Sequence, residues 1–490
     1  MRTVDTSFSA PTPKGQEATT LRPDELNLFD STVVAVASVG PTYSLAAILS
    51  LLFVTVGYAG PAVVIVSFIP VLFIAVAYFY LNRRDPNCGA CYAWLSKLVN
   101  PSLGWFTGWV QVAASVLFCV AAPMLAGTYT LQFIHSVGWI AAGTASNIWL
   151  TATVGALWLA VVTFITIYGI RWTARTQWLF LLIQYVAMLG TSIGGIIKVA
   201  VTHPVGSTGF HWSWLDPLSI HGYEGLAAGS VVGVFLFWGW DTAVNLNEES
   251  KNSTEIPGQA SILAMLLLLF ILVLNIVAVQ MLLPASEFSR QGPNVLFYFA
   301  EQVGGTWVGY LMIIAVLSST VAVSQTTLLP AARVTLSMAR DGVFPRVFGI
   351  VHGKFRTPVI GTLILASLAL FGILLRGGSP TINTVYGDLI DNIGVMVAYY
   401  YGVTGLACAW SHRKVMFKKA SFFFVGILLP FLAGVFCFWV GYEVIKQSGL
   451  SASAPVLVAY ALGIPLVIVA RRRSPSEFFE QRPIAYESIT

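Results

Sequence analysis

Long apolar runs separated by short clusters of proline, glycine and charge set the pattern of this chain. A helix needs ~20 apolar residues to cross a bilayer. By that measure the runs predict twelve transmembrane helices, near residues 28–56, 61–82, 103–134, 148–168, 176–200, 226–247, 260–283, 306–333, 357–376, 384–410, 420–444 and 451–470. Punctuation such as Arg83-Arg84-Asp85-Pro86-Asn87 and Ser411-His412-Arg413-Lys414 marks the loops. Two runs are interrupted. In the sixth, Phe237-Trp238-Gly239-Trp240-Asp241 places an acid at mid-membrane depth beside a glycine. A carboxylate there is costly unless it faces protein or water. In the first, Ser38-Val39-Gly40-Pro41-Thr42-Tyr43 carries a proline, which lacks an N–H and disfavours helical geometry in the residue before it. An opened backbone is tolerated in a membrane only where it lines a cavity, and paired interruptions in two halves point to a transporter's site.

Spans one to ten therefore read as two five-span repeats, 28–200 and 226–410, each opening with a broken helix. Five is odd, so the repeats have opposite orientations in the membrane. Two accessory spans follow within 411–470. Residues 1–27, polar and containing Pro11, Pro13 and Pro23, read as a disordered tail, and 471–490 as a second tail.

Composition supports the all-α polytopic membrane class. Of the 490 residues 57% are hydrophobic and only 10% charged, with mean hydropathy +0.78, whereas a soluble chain carries about 25% charged residues. Placing the N-terminus in the cytoplasm puts only Lys198, Arg290, Arg376 and Lys446 outside; the other 22 of 26 Lys and Arg fall inside. That segregation agrees with the count of spans and with a plasma (inner) membrane protein whose tails are both cytoplasmic. The five cysteines offer a single CxxC, Cys88 and Cys91, without a second pair to complete a zinc site. No metal, nucleic acid or obligate protein partner is implied; the bilayer and a small solute are.

Four stretches resemble the amino acid–polyamine–organocation (APC) superfamily. They are Ser38 to Thr42; Asp85-Pro86-Asn87-Cys88-Gly89-Ala90-Cys91-Tyr92, running on to Gly104-Trp105; Gly239 to Asp241 with Glu248-Glu249-Ser250-Lys251-Asn252 and Ile256-Pro257; and Arg333 to Pro345 with Thr357-Pro358. The resemblance implies a leucine-transporter-like 5+5 inverted repeat and alternating-access transport of amino acids or amines. Pro41 and Thr42 depart from the family's small residues in the first break.

Candidate chemistry follows from the breaks. A half-helix starting near Tyr43 would turn free N–H groups and its positive dipole end toward a carboxylate. Carbonyls freed from Phe237 to Gly239 suit an ammonium. Asp241 could pair with that ammonium or take a coupling proton; equally, Asp is a favoured cap, here for the second half of span six. Phe237, Trp238 and Trp240 could wall the site or pack structurally. Ser318 and Ser319 in span eight look like the hydroxyl pair that holds sodium in sodium-coupled proteins of this fold, although such hydroxyls also bond back to their own helix. The resemblance further implies a span-five ion position, filled by lysine in several proton-coupled relatives and by Gln184 here. Glu248 and Glu249 could form gating ion pairs with Arg333 or Arg340, or lie on a solvated face. Asp30 reads as a helix cap.

These features favour a secondary transporter for an amino acid or related amine, with a polyamine or organic-cation carrier as the alternative and coupling to Na+, H+ or exchange left open. A channel or potassium uptake protein fits less well, since charges that could line a pore are scarce. No cluster of His, Asp or Glu suggests a membrane enzyme, and no Gly-x-x-x-x-Gly-Lys loop binds ATP.

Overall fold

The structure, a computed structural model, describes residues 20–376, 382–415, 418–474 and 477–486. Those parts of the expected tails at 1–19 and 487–490, and positions 475–476, lie outside the described residues. Among the described residues there is no strand, only one isolated bridge between Leu26 and Ser250.

The chain order is α1 (Leu28–Val39), α2 (Pro41–Val56), α3 (Gly60–Arg84), α4 (Cys91–Leu98), α5 (Pro101–Ser136), α6 (Ala142–Ala145), α7 (Ile148–Tyr168), α8 (Ile170–Thr202), α9 (Gly222–Phe235) and α10 (Thr242–Asn245). It continues with α11 (Ile256–Leu282), α12 (Ala285–Gln291), α13 (Val295–Gly304), α14 (Thr306–Arg340), α15 (Val359–Arg376), α16 (Ile382–Ser411), α17 (Ala420–Phe422), α18 (Leu429–Ala452) and α19 (Ala454–Arg473). Nine helical stretches among the described residues are long and apolar enough to cross a membrane, counting Leu28–Arg84 as one.

Around a largely apolar core, some helices turn an apolar face outward and bury polar side chains. On α8, Leu179, Leu182, Val186, Ile193 and Ile197 are exposed while Gln177, Gln184, Thr191 and Ser192 are buried. In water that arrangement would be inverted; in hydrocarbon it lets apolar surface face the solvent and keeps polar groups among protein. α14 is buried over most of its length and packs against α5, α8 and α1, so it forms the axis around which the breaks are arranged.

Local chemistry explains the element ends, and corrects two expectations. Asp30 is not the cap of α1. Asn27 is: its Oδ1 accepts from the Asp30 N–H at 2.9 Å, while Asp30 Oδ2 accepts from the Asn27 N–H at 3.3 Å, a reciprocal capping box. Residues 20–27, part of the tail expected to be disordered over 1–27, are described, and two of them are tied to the bundle. Glu25 and Leu26 both donate their N–H to the Glu249 carbonyl, at 2.9 and 3.0 Å, and Lys251 N–H donates to Leu26 O at 2.8 Å. Backbone pairing thus fixes residues that carry few apolar side chains. Beyond α19 the chain returns as well: Ile484 N–H bonds Lys97 O at 2.9 Å and Tyr486 N–H bonds Ser411 O at 3.0 Å.

Candidate binding site at two helix breaks

Helix α1 stops at Gly40, whose φ of 59° and ψ of 71° are left-handed, and α2 begins at Pro41. Glycine reaches that region without the clash a Cβ would bring. A Cβ at Gly40 would also collide with Val323 of α14. The second interruption is longer. From Leu236 to Asp241 the helical ladder gives way to tight turns: Phe237 N–H to Val234 O at 3.1 Å, Trp238 N–H to Phe235 O at 3.2 Å, and Thr242 N–H to Gly239 O at 3.1 Å. Among the described residues no hydrogen bond ends on the carbonyl oxygens of Leu236, Phe237 or Trp238. After the break only one helical turn, α10, remains.

The two breaks touch. Gly239, at φ 119°, lies so close to α1 that a Cβ on it would sit 2.5 Å from the Ser38 carbonyl oxygen and 3.2 Å from the Val39 nitrogen. Residues 201 positions apart in sequence order, 38 and 239, are thereby brought backbone to backbone, with Asp241 two residues on.

Asp241 is buried, 4% exposed, and starts α10 without a side-chain bond to that helix's N–H groups. The capping alternative is therefore set aside; its Oδ1 accepts instead from the Tyr401 hydroxyl at 2.9 Å. Trp240 stacks on Tyr401 with ring centroids 5.2 Å apart and meets the edge-on ring of Tyr78 at 5.1 Å. Trp238 donates its indole N–H to Tyr400 Oη at 2.6 Å and stands edge to face with Phe118 at 4.9 Å, which in turn reaches Tyr43 at 5.9 Å. Phe237 packs against Phe68 at 5.5 Å. Tyr78, Tyr400 and Tyr401 went unremarked in the sequence, although three consecutive tyrosines, Tyr399 to Tyr401, in an apolar span were a signal.

In the first break, Ser38 Oγ donates to Val34 O at 2.7 Å and Ser44 Oγ to Val39 O at 2.8 Å. Thr42 Oγ1 is buried with no hydrogen-bond partner among the described residues. The donors at the start of α2 are few. Pro41 has no N–H, and the Tyr43 N–H donates to Ser319 Oγ at 3.1 Å. Ser319 therefore faces the break. The hydroxyls of its neighbours bond back to α14: Ser318 donates to Ala315 O at 2.8 Å and Thr320 to Val316 O at 2.7 Å. Gln184 is fully buried, with neither amide atom paired among the described residues.

Beyond α10 the acids and arginines singled out in the sequence meet. Glu249 and Arg333 form a bidentate pair at 2.9 to 3.1 Å, with side chains 1% and 0% exposed, so the solvated-face alternative does not describe them. Glu248 pairs with Arg340 at 2.8 Å, partly exposed. The loop before α4 closes over both pairs. Cys88 N–H donates to Glu248 Oε1 at 3.1 Å, and its thiol to Arg333 O at 3.5 Å. Asn245 Nδ2 donates to Cys88 O at 3.0 Å. Burial alone would push the Glu248 carboxyl up; the Arg340 guanidinium and the Cys88 N–H pull it below the ordinary carboxylate range.

Known proteins share this sequence pattern. The family described as Amino acid permease matches residues 26–469. A low-affinity putrescine importer of Escherichia coli (strain K12) is 26% identical over 384 residues, covering 75% of this chain and 77% of that protein. A probable amino-acid permease of Schizosaccharomyces pombe is 26% identical over 358 residues, covering 68% and 56%. An S-adenosylmethionine permease of Candida albicans is 23% identical over 352 residues, covering 69% and 52%.

Proposed function

Because the chain belongs to the amino acid permease family, we propose that it is a secondary active transporter that moves an amino acid or related amine across the plasma (inner) membrane by alternating access. The observation that carries this reading is the contact between the Ser38 carbonyl and Gly239, with Asp241 buried alongside. Two opened backbones facing each other supply acceptors and donors to one solute, which a continuous helix pair cannot do. The proposal includes twelve spans arranged as a 5+5 inverted repeat with two accessory helices, and both tails cytoplasmic. In that orientation the pairs Glu249–Arg333 and Glu248–Arg340 act as an inner gate, closed here.

The amino group would rest on Asp241 and on the carbonyls of Leu236 to Trp238, flanked by Trp238 and Trp240. A carboxylate would rest at the start of α2. Sodium coupling would draw on Ser319, proton coupling on Asp241, and exchange on neither.

One observation favours a second reading, a cationic amine without a carboxylate. Acceptors crowd the site, but donors at α2 are reduced by Pro41 and by the Tyr43 N–H already bonded to Ser319. Uptake of radiolabelled amino acids and 1,4-diaminobutane into proteoliposomes, each competed by the other and driven by imposed sodium or proton gradients, tests both. Asp241→Asn is expected to abolish saturable uptake. Unaltered uptake in that variant removes the acid from the mechanism. Failure of every gradient and of counterflow to drive any of these solutes overturns the transporter reading.

A further inference from the structure

Residues 20–26 lie across the inner ion pairs, fastened by two leucines and a stretch of backbone. Leu26, 1% exposed, packs among Val34 of α1, Ile170 and Ala174 of α8, Leu246 just after α10, and Leu329 of α14. Leu21, 3% exposed, packs against Cys88, Leu336 of α14 and Val351. Both leucines therefore sit beside the gate: Cys88 bonds Glu248 and the Arg333 carbonyl, and Leu246 lies three residues before Glu249. Between the leucines the backbone comes to run parallel to residues 249–251, with Leu26 paired to Ser250. Contacts at the rim are polar. Glu25 pairs with Arg171 at 2.7 Å, Arg22 donates to Lys354 O at 2.8 Å, and Arg356 donates to Thr20 O at 3.4 Å.

This fastening joins parts that separate when the gate opens. Opening takes Glu248 and Glu249 away from Arg340 and Arg333 of α14, and a side chain lodged between Leu246 and Leu329 cannot keep both contacts. The segment also runs without a linker into Asn27, the cap of α1, so a shift of α1 pulls on it. Its own stability is low: it has no helix, only two buried apolar side chains, and a rim ion pair whose arginine is largely exposed. Segments of that kind detach before the core around them loosens.

We infer that residues 20–26 are a strap that holds the inner gate shut and is released each time it opens, its grip set by Leu21 and Leu26. Weakening those anchors speeds opening, and fixing the strap in place stops it. The inference rests on the gate assigned to Glu249–Arg333 and Glu248–Arg340, but opening can be followed chemically without transport.

The test uses the full chain in lipid nanodiscs and in proteoliposomes. Modification by N-ethylmaleimide, with the modified cysteines identified by peptide mass, follows opening at Cys88. Leu21→Ser with Leu26→Ser is expected to raise the Cys88 rate about tenfold, the effect of losing the burial of one leucine from the closed state alone. Cys119, Cys408 and Cys437 should stay protected. A Cys88 rate equal to wild type overturns the strap. If all five cysteines react together the variant has unfolded, and the second arm decides. Leu26→Cys with Ser250→Cys places two thiols at the parallel pair, where backbones ~4.8 Å apart allow a disulfide. Oxidised, this variant is expected to lose both net uptake of the radiolabelled solutes and Cys88 reactivity; reduction should restore both. Wild-type uptake by the cross-linked protein means that the gate opens with the strap in place and overturns the inference. Reduction that restores neither assigns the loss to the substitutions themselves and overturns it too. If wild type transports none of the solutes, the transporter reading fails while the Cys88 rates still judge the strap.

Discussion

Replacing Arg333 by methionine strands the Glu249 carboxylate. The pair is 0% and 1% exposed and bidentate, with N···O distances of 2.9 to 3.1 Å, so no water replaces the lost guanidinium without reorganisation. Breaking one side of such a pair costs about 3–5 kcal/mol, whereas replacing both partners by apolar groups of similar volume is often neutral or stabilising. With the unfolding entropy of ordinary proteins, a chain of this length shifts its midpoint by ~1 °C per kcal/mol. Arg333→Met is therefore expected to lower the apparent midpoint of the nanodisc-embedded protein by ~3–5 °C, and Glu249→Met with Arg333→Met to recover to within ~1 °C of wild type or exceed it. A single variant within ~1 °C of wild type, or a double variant as impaired as the single, refutes the reasoning.

The double variant also tests the gate separately from stability. All five cysteines are buried, and Cys88 sits between the two ion pairs. If the pairs hold that end shut, N-ethylmaleimide should modify Cys88 faster in the stable double variant than in wild type. Equal rates would leave Glu249–Arg333 a packing feature.

Two further predictions concern single contacts. Glu248 has its folded-state pKa held below its unfolded value, so its pair with Arg340 contributes fully above the ordinary carboxylate pKa of ~4.3 and is lost as pH falls through the folded value. The midpoint difference between wild type and Glu248→Gln should therefore shrink on titrating from pH 6 to below ~4, and at its largest correspond to about 1 kcal/mol or less, since both side chains are partly exposed. A difference that grows on acidification would reverse the sign and remove the pair. Ser319→Ala removes the acceptor of the Tyr43 N–H and should cost about 1 kcal/mol, with loss of any sodium dependence of uptake. Ser318→Ala, whose hydroxyl serves only its own helix turn, should change neither by a measurable amount, and equal effects of the two would contradict the assignment of Ser319 to the break.

The breaks were legible because their causes are local: proline lacks a donor, and glycine adopts without strain the positive φ values found at positions 40 and 239. What each break bonds to was not. Asp241 is held by a tyrosine 160 residues away and the Tyr43 N–H by a serine 276 residues away, and neither separation leaves a trace in a window of sequence. Local preference even misleads where tertiary proximity decides. Asp at the start of a helix reads as a cap, yet a hydroxyl from α16 competes for the carboxylate and wins it. Tertiary proximity likewise ties down a stretch whose composition reads as disorder: the N–H groups of Glu25 and Leu26 meet the Glu249 carbonyl.

That competition also explains why this bundle buries so many polar groups. In hydrocarbon an unpaired hydroxyl or amide is costly wherever it sits, so pairing, not burial, decides its position. A membrane helix can then carry Thr173, Gln177 and Thr191 inward, each with a bonded side chain, and Leu179, Leu182 and Val186 outward. Asp241 fits that logic: it is an acid held by a hydroxyl on a neighbouring helix, that of Tyr401.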